Sequence, residues 1–289
     1  MTNPTLIGLA LLAAATVTAQ GTPGAVQLEA ADCSRTRATF GTSEVAHAVR
    51  HERVPMTGTL DVRPGGNGGV RLEAGSGDSY AITACITAGA GSVAEAQRLA
   101  DSVTLTIAGN RVRVSEPAEA RNWNVQLIVE APRGAQIDVE TRNGPIGIRG
   151  VEGSITARAA NGPISLADVS SSVRAVAVNG PISIVGSRGN IDVETQNGPI
   201  SVDLQGTRWD GELNARAKNG PLSLRLPESF GSTVEVSSSR RSPWNCRIAA
   251  CSSLSGSSDD EVRTLRMGSG SPAVKLSTVN GPVSLAHTR

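Results

Sequence analysis

His47 and His51 lie four residues apart with Glu52 beside them, the spacing at which two imidazoles on one helical turn would share a zinc ion. Pro55 and the β-branched neighbours favour an extended segment instead, where residues i and i+4 stand ~13 Å apart and cannot share a metal. Gly89-Ala90-Gly91-Ser92-Val93-Ala94 has the glycine spacing of a dinucleotide-binding loop. That chemistry needs a further parallel strand and an acidic residue about 20 positions on. Here Ser92 and Glu95 already read as a helix capping box, and only strands follow. Asp259-Asp260-Glu261 offers oxygen ligands for calcium but lacks the glycine-rich nonapeptide spacing of a calcium-loaded β-roll, and reads as a solvated acidic turn. No Gly-x-Ser-x-Gly elbow occurs, and no histidine stands near a serine in a triad-like context. No catalytic, cofactor-binding or metal-binding residue is assigned, so the chain reads as a non-enzyme.

Four cysteines, Cys33, Cys85, Cys246 and Cys251, fit an exported protein with two disulfides. Three connectivities are open; Cys246 and Cys251 are close enough to close a small loop, which leaves Cys33 with Cys85, tying the N-terminal segment to a strand. The chain begins with an apolar run, Leu6 to Val17, and Val17-Thr18-Ala19 before Gln20 has the small-x-small form of a signal-peptidase site. Residues 1–19 are therefore expected to be a signal peptide, although the n-region carries no Lys or Arg. Ala31-Asp32 before Cys33 is not a lipoprotein box, so no lipid anchor is expected. No stop-transfer helix follows, and the mature chain is expected in the periplasm or outside the cell.

Composition narrows the partners. The 27 basic and 26 acidic residues give a net charge of +1, which argues against nucleic acid or an anionic membrane surface. With two Phe, one Tyr and three Trp, any core must be filled by Val, Ile, Leu and Ala, which suits thin β layers.

Positions 20–58 read as an irregular arm, and 59–133 as a β-rich part with one helix, 92–102. Leu60 and Val62, then Val70 and Leu72, alternate across Gly65–Gly69 as a hairpin would. From Gly134 one tetrapeptide organises everything. Asn143-Gly144-Pro145-Ile146 returns at Asn161-Gly162, Asn179-Gly180 and Asn197-Gly198, each 18 residues on. Asn219-Gly220-Pro221-Leu222 and Asn280-Gly281-Pro282-Val283 add two later copies. A fixed period of this length signals stacked repeats.

Within each repeat two short period-2 strands flank the corner: Ile137, Val139 and Thr141 share one face, Ile146 and Ile148 another. Glycine is expected to give the Asn-Gly corner a positive φ. Two arrangements use this pattern, a β-solenoid and an antiparallel meander or barrel. Stacking would set Glu140 against Arg158, Arg174 against Asp192 and Glu194 against Arg216, all of opposite sign, and would align the Asn side chains in a ladder. The solenoid is preferred over 134–289. A sixth, degraded repeat places Arg240 and Arg241 where Asn-Gly should stand, and a disulfide-containing insertion, 242–258, interrupts the stack.

These Asn-Gly-Pro-Ile rungs, with the lead-in Val125-x-Leu127-x-Val129-x-x-Pro132-x-Gly134 and the terminal Leu276-x-Thr278-x-Asn280-Gly281, resemble the putative-adhesin β-strand-repeat family of uncharacterised exported bacterial proteins. The resemblance spans roughly 55–289 and implies a β-solenoid in an extracytoplasmic setting. It supplies no catalytic residues.

One column stands out as a candidate contact surface. After each Pro-Ile come Gly147, Ser165, Ser183, Ser201, Ser223 and Ser284, a flat, small, uncharged strip on one outer face. The bland reading is that serine suits a solvated strand. The sharper one is a docking face for a surface polymer, a protein or a second copy of the chain, with the loop near Trp244 as another contact region. Other readings are a polysaccharide-acting enzyme on a β-helix scaffold, which would want clustered carboxylates and aromatic platforms, and a purely structural or assembly subunit.

Overall fold

In the computed structural model, residues 33, 38–41, 43–115, 122–253 and 261–288 are described. The expected signal peptide and Asp259-Asp260 lie outside them. Among the described residues the strands form two 11-stranded sheets, not closed into a barrel, with one α-helix.

Four strands precede the helix: β1 (Glu44–Pro55), β2 (Leu60–Arg63), β3 (Gly68–Ala74) and β4 (Ser79–Ala90). Helix α1 (Val93–Ser102) follows, then β5 (Thr104–Ala108), β6 (Arg111–Ser115) and β7 (Trp123–Ala131). Ser92 caps the helix by accepting from the Glu95 N–H, and Ala96 and Ala100 are its buried residues, whereas Val93 is 58% exposed. The regular repeats are β8/β9 (Ala135–Thr141, Ile146–Arg149), β10/β11 (Gly153–Asn161, Ile164–Ala167), β12/β13 (Ser170–Asn179, Ile182–Val185), β14/β15 (Arg188–Asn197, Ile200–Asp203) and β16/β17 (Leu213–Asn219, Leu222–Leu226). The chain ends with β18 (Val234–Ser239), β19 (Trp244–Cys246), a 3-10 turn at Ala249–Ser253, β20 (Val262–Met267), β21 (Val274–Asn280) and β22 (Val283–His287).

The two strands of each repeat lie in opposite sheets, and each pairs in parallel with its own copy 18 residues away, or 22 at β16/β17: Ile137 with Ile155, Ile155 with Val173, Ile146 with Ile164, Ile164 with Ile182, Ile191 with Leu213. This is a two-sided parallel solenoid. A meander or barrel would pair the strands at the Asn-Gly corner with each other, and they do not pair. The inward side chains make one aliphatic cluster that runs from Val54 to Leu285, with Ile137, Ile155, Ile164 and Ile182 each no more than 2% exposed. Burying each such side chain stabilises by about 1.5–3 kcal/mol, which is what drives the stacking.

Four expectations change. Glu44–Pro55, read as part of an irregular arm, is a strand paired antiparallel with β4, because Ala46, Ala48 and Val54 supply a buried face. Leu60–Arg63 and Gly68–Ala74 do not form a hairpin: β2 pairs in parallel with β8, and β3 with β9, so together they are a rung continuous with the repeats. β6 and β7 make another rung below it, so the sheets run unbroken through the boundary expected at 133/134.

The fourth change is at the other end. β18 and β19 are the degraded rung, but β21 and β22 insert between it and β16/β17. The terminal copy is therefore not the spatial end. The corner chemistry explains the order. Asn280-Gly281 can continue the ladder from Asn219-Gly220, whereas Trp244 pairs with Val283, which aligns Arg241-Ser242-Pro243 with Asn280-Gly281-Pro282. A rung lacking Asn-Gly fits only at the outside of the stack. The corner Pro is kept there, since the Val283 N–H donates to the Pro243 carbonyl at 2.9 Å, so stacking continues as far as Cys246 and the insertion begins after it.

Candidate functional site

The corner glycines work differently from expectation. None of Gly144, Gly162, Gly180, Gly198, Gly220 and Gly281 has a positive φ. They are needed because the rungs close up there: a Cβ on Gly180 would sit 2.1 Å from the Gly162 carbonyl oxygen, and one on Gly281 1.9 Å from that of Gly220. The positive φ falls at the opposite corner, at Gly150 (64°), Asp168 (54°) and Gly186 (59°), again 18 residues apart. Beside the glycines the Asn amides form a continuous ladder. Asn161 Nδ2 donates to Asn143 Oδ1 at 3.0 Å, Asn179 to Asn161 and Asn197 to Asn179 at 2.9 Å, Asn219 to Asn197 at 3.0 Å and Asn280 to Asn219 at 2.9 Å.

The corner delivers the chain to the second sheet with its outward residues in fixed columns. Pro145, Pro163, Pro181, Pro199, Pro221 and Pro282 are all exposed. Proline is tolerated because the preceding rung uses its carbonyl and not its missing N–H: the Ile146 N–H donates to the Pro163 oxygen and the Ile182 N–H to that of Pro199, both at 2.9 Å. Two residues on, Gly147, Ser165, Ser183, Ser201, Ser223 and Ser284 stand in register across six strands. Ser183 Oγ donates to Ser165 Oγ at 3.0 Å. Proline and serine columns together make a flat band without formal charge, and a Cβ on Gly147 would meet open space.

The other sheet carries a run of paired charges in a diagonal pattern. Arg174 meets Asp192 at 3.1 Å, its register partner. Arg158, however, reaches Asp138 at 2.8 Å, and Arg216 reaches Asp192 at 2.7 Å, in place of Glu140 and Glu194. Strand twist and the length of the Arg side chain bring the diagonal carboxylate into reach. Glu140 pairs instead with Arg63 of β2, a rung not foreseen in the stack. That rung also sets Asp61 against Asp138, and Arg63 lies between them, 3.2 Å and 3.9 Å away, so the like charges are neutralised.

The remaining candidates fall into structural roles. His47 and His51 sit on β1, where their Nδ1 atoms contact Thr87 Oγ1 at 3.2 Å and Thr83 Oγ1 at 3.0 Å. Cys33 and Cys85 lie at disulfide distance, with Cα atoms 5.5 Å apart, and so do Cys246 and Cys251, at 5.9 Å. Trp209 is 7% exposed and its Nε1 donates to the Gly189 carbonyl at 3.0 Å, plugging the enlarged corner before β16. Trp244 Nε1 donates to Ser238 Oγ at 2.7 Å, which ties β19 to β18. Tyr80, fully buried, donates its hydroxyl to the Gln136 carbonyl at 3.1 Å; burial pushes its pKa up, and the hydrogen bond lowers it by less. Nothing local in the sequence marks the burial of the Tyr80 hydroxyl, whose partner lies 56 residues away.

The fold defines an all-β protein of two 11-stranded sheets, parallel through the repeats and with antiparallel strands at their ends. No protein-family model matches the chain, and no curated protein does. Solved structures similar to it include a "putative cell adhesion protein" from Clostridium sporogenes ATCC 15579 (8% identity, TM-score 0.31, covering 84% of this chain and 100% of that one). A "putative adhesin" from Bacteroides fragilis NCTC 9343 has 9% identity and a TM-score of 0.35, with 83% and 97% covered. A "putative lipid binding protein" from Parabacteroides distasonis ATCC 8503 has 9% identity and a TM-score of 0.33, with 82% and 96% covered. No helix among the described residues is long and apolar enough to cross a membrane.

Proposed function

We propose that the chain is an exported, non-enzymatic binding module of the cell envelope or surface, using the Pro/Ser band of one sheet as its docking face. The observation that carries this reading is the band itself: six rungs present small, uncharged groups in register, five serines and Gly147, while the opposite face carries paired charges. A flat row repeating at about 4.8 Å suits an extended polymer or a second copy of the same row, because each rung offers the same contact again. The two cysteine pairs agree with an oxidising compartment.

The test combines a glycan-array screen with size-exclusion chromatography at rising concentration, on the wild-type chain and on Ser183→Arg/Ser201→Glu. Both serines lie on an outer face, so the variant should keep its far-UV circular dichroism and melting temperature while binding or self-association falls at least roughly tenfold. Binding left unchanged by the double variant would remove the docking role from this face.

A further inference from the structure

An inner rung has its buried row covered on both sides, but a stack needs something else over its last rung. At the β18/β19 end that cover is β20, outside β18, with the 3-10 turn at Ala249–Ser253 and the turn containing Phe230, both packed against the core. The cover leaves a cavity of about 580 Å³ lined by Leu226, Phe230, Val234, Ile248 and Met267, with Glu228 also in its wall. Phe230 and Met267 are only partly buried against the core.

A second cavity of about 780 Å³ adjoins it, and Pro227 and His287 line both. Its walls hold Arg225, Arg247 and one carboxylate, Asp203. Arg225 and Asp203 are register partners, yet among the described residues neither Arg225 nor Arg247 makes an ion pair. Arg247 Nε donates only to Asn245 Oδ1, at 3.3 Å. The His287 Nδ1 contacts the Leu226 carbonyl at 3.3 Å; a carbonyl only accepts, so this nitrogen carries the proton and Nε2 is left for a ligand.

A chamber with an aliphatic and aromatic lining, beside one whose two guanidinium groups make no ion pair among the described residues, has the chemistry of one kind of occupant. We infer that the two cavities form a single site for a free, single-chain anionic amphiphile, a long-chain carboxylate. Its acyl chain lies between Phe230 and Met267, and its head group reaches Arg225 and Arg247. The complementarity is in the charge: two cations face one anion on the polar side, while the apolar side buries CH₂ groups. This site is independent of the Pro/Ser band.

Titration calorimetry of the full chain with dodecanoate below its micelle concentration tests it, with acetate and dodecanol as controls for head and tail alone. Saturable one-to-one binding is expected for dodecanoate, with each control at least roughly tenfold weaker. Arg225→Ser/Arg247→Ser, at two exposed positions, should weaken dodecanoate roughly tenfold and leave dodecanol unchanged. Ala249→Asp, which sets a carboxylate in the apolar chamber, should weaken both. The inference is overturned by absence of saturation, by acetate binding as tightly as dodecanoate, or by dodecanoate binding that neither variant moves. It is equally overturned if the chain binds only phosphatidylcholine/phosphatidylglycerol vesicles, or if the cavities are closed by a concentration-dependent dimer that dodecanoate does not dissociate.

Discussion

At the scale of single residues, Asn and Gly of the repeated corner do different jobs. Asn179 uses both ends of its amide, donating to Asn161 and accepting from Asn197. Asn179→Ala removes two exposed hydrogen bonds and should cost about 1–2 kcal/mol. Gly180→Ala should cost more, about 3 kcal/mol or above, because the 2.1 Å approach to a backbone oxygen can be relieved only by parting the rungs. Gly147→Ala, where a Cβ meets nothing, should change stability by less than about 0.5 kcal/mol. Urea denaturation of the three variants checks the ranking. The sequence showed that glycine recurs at this corner but not why. A glycine kept for a close approach and one kept for positive φ look alike in a string of letters, and only the spacing of two neighbouring backbones separates them.

At the scale of elements, the period-2 strands and their 18-residue register were legible, because identical short signals recur and each has one obvious partner. The additional rungs were not. Gly65–Gly69 has hairpin composition, yet Leu60 and Val62 find better aliphatic partners in Ile137 and Val139, more than 70 residues away. The apolar lining of the stack outweighs local turn preference there. The two cavities beside Pro227 were equally hidden, because Arg225, Arg247 and His287 come from three different strand ends.

Tyr80 gives this level a pH test. Its pKa is raised in the folded chain by desolvation, so the unfolded chain loses the phenolic proton first as pH climbs. Above the ordinary tyrosine value of about 10 the unfolded state binds fewer protons, and stability must fall as pH rises towards the folded value. Below that window the contribution is fully present. Tyr80→Phe should flatten this alkaline decline in denaturation curves measured from pH 9 to 11. A decline of unchanged slope would show that Tyr80 is not its source.

At the scale of the molecule, the rungs are out of chain order at both ends. The rung β2/β3 lies inside β6/β7, and β21/β22 lies inside β18/β19. A chain ending at Ser271 would therefore lose an inner rung. The β18–β20 hairpin, whose other neighbour is β21, should come away from the stack. Hydrogen exchange should then show Val234–Ser239 and Val262–Met267 unprotected while Ile155–Val193 keeps its protection. Persisting protection at Val234–Ser239 would mean that β18 can dock directly on β16.

This interleaving also bears on the moment at which the protein can become itself. A growing polypeptide usually settles each segment onto what has already emerged, but here residues 274–287 must be in hand before the segment at 234–246 can take its seat. The closing step thus waits for residues 274–287, and a nascent chain held short of them carries an unfilled slot between β16/β17 and the segment at 234–246.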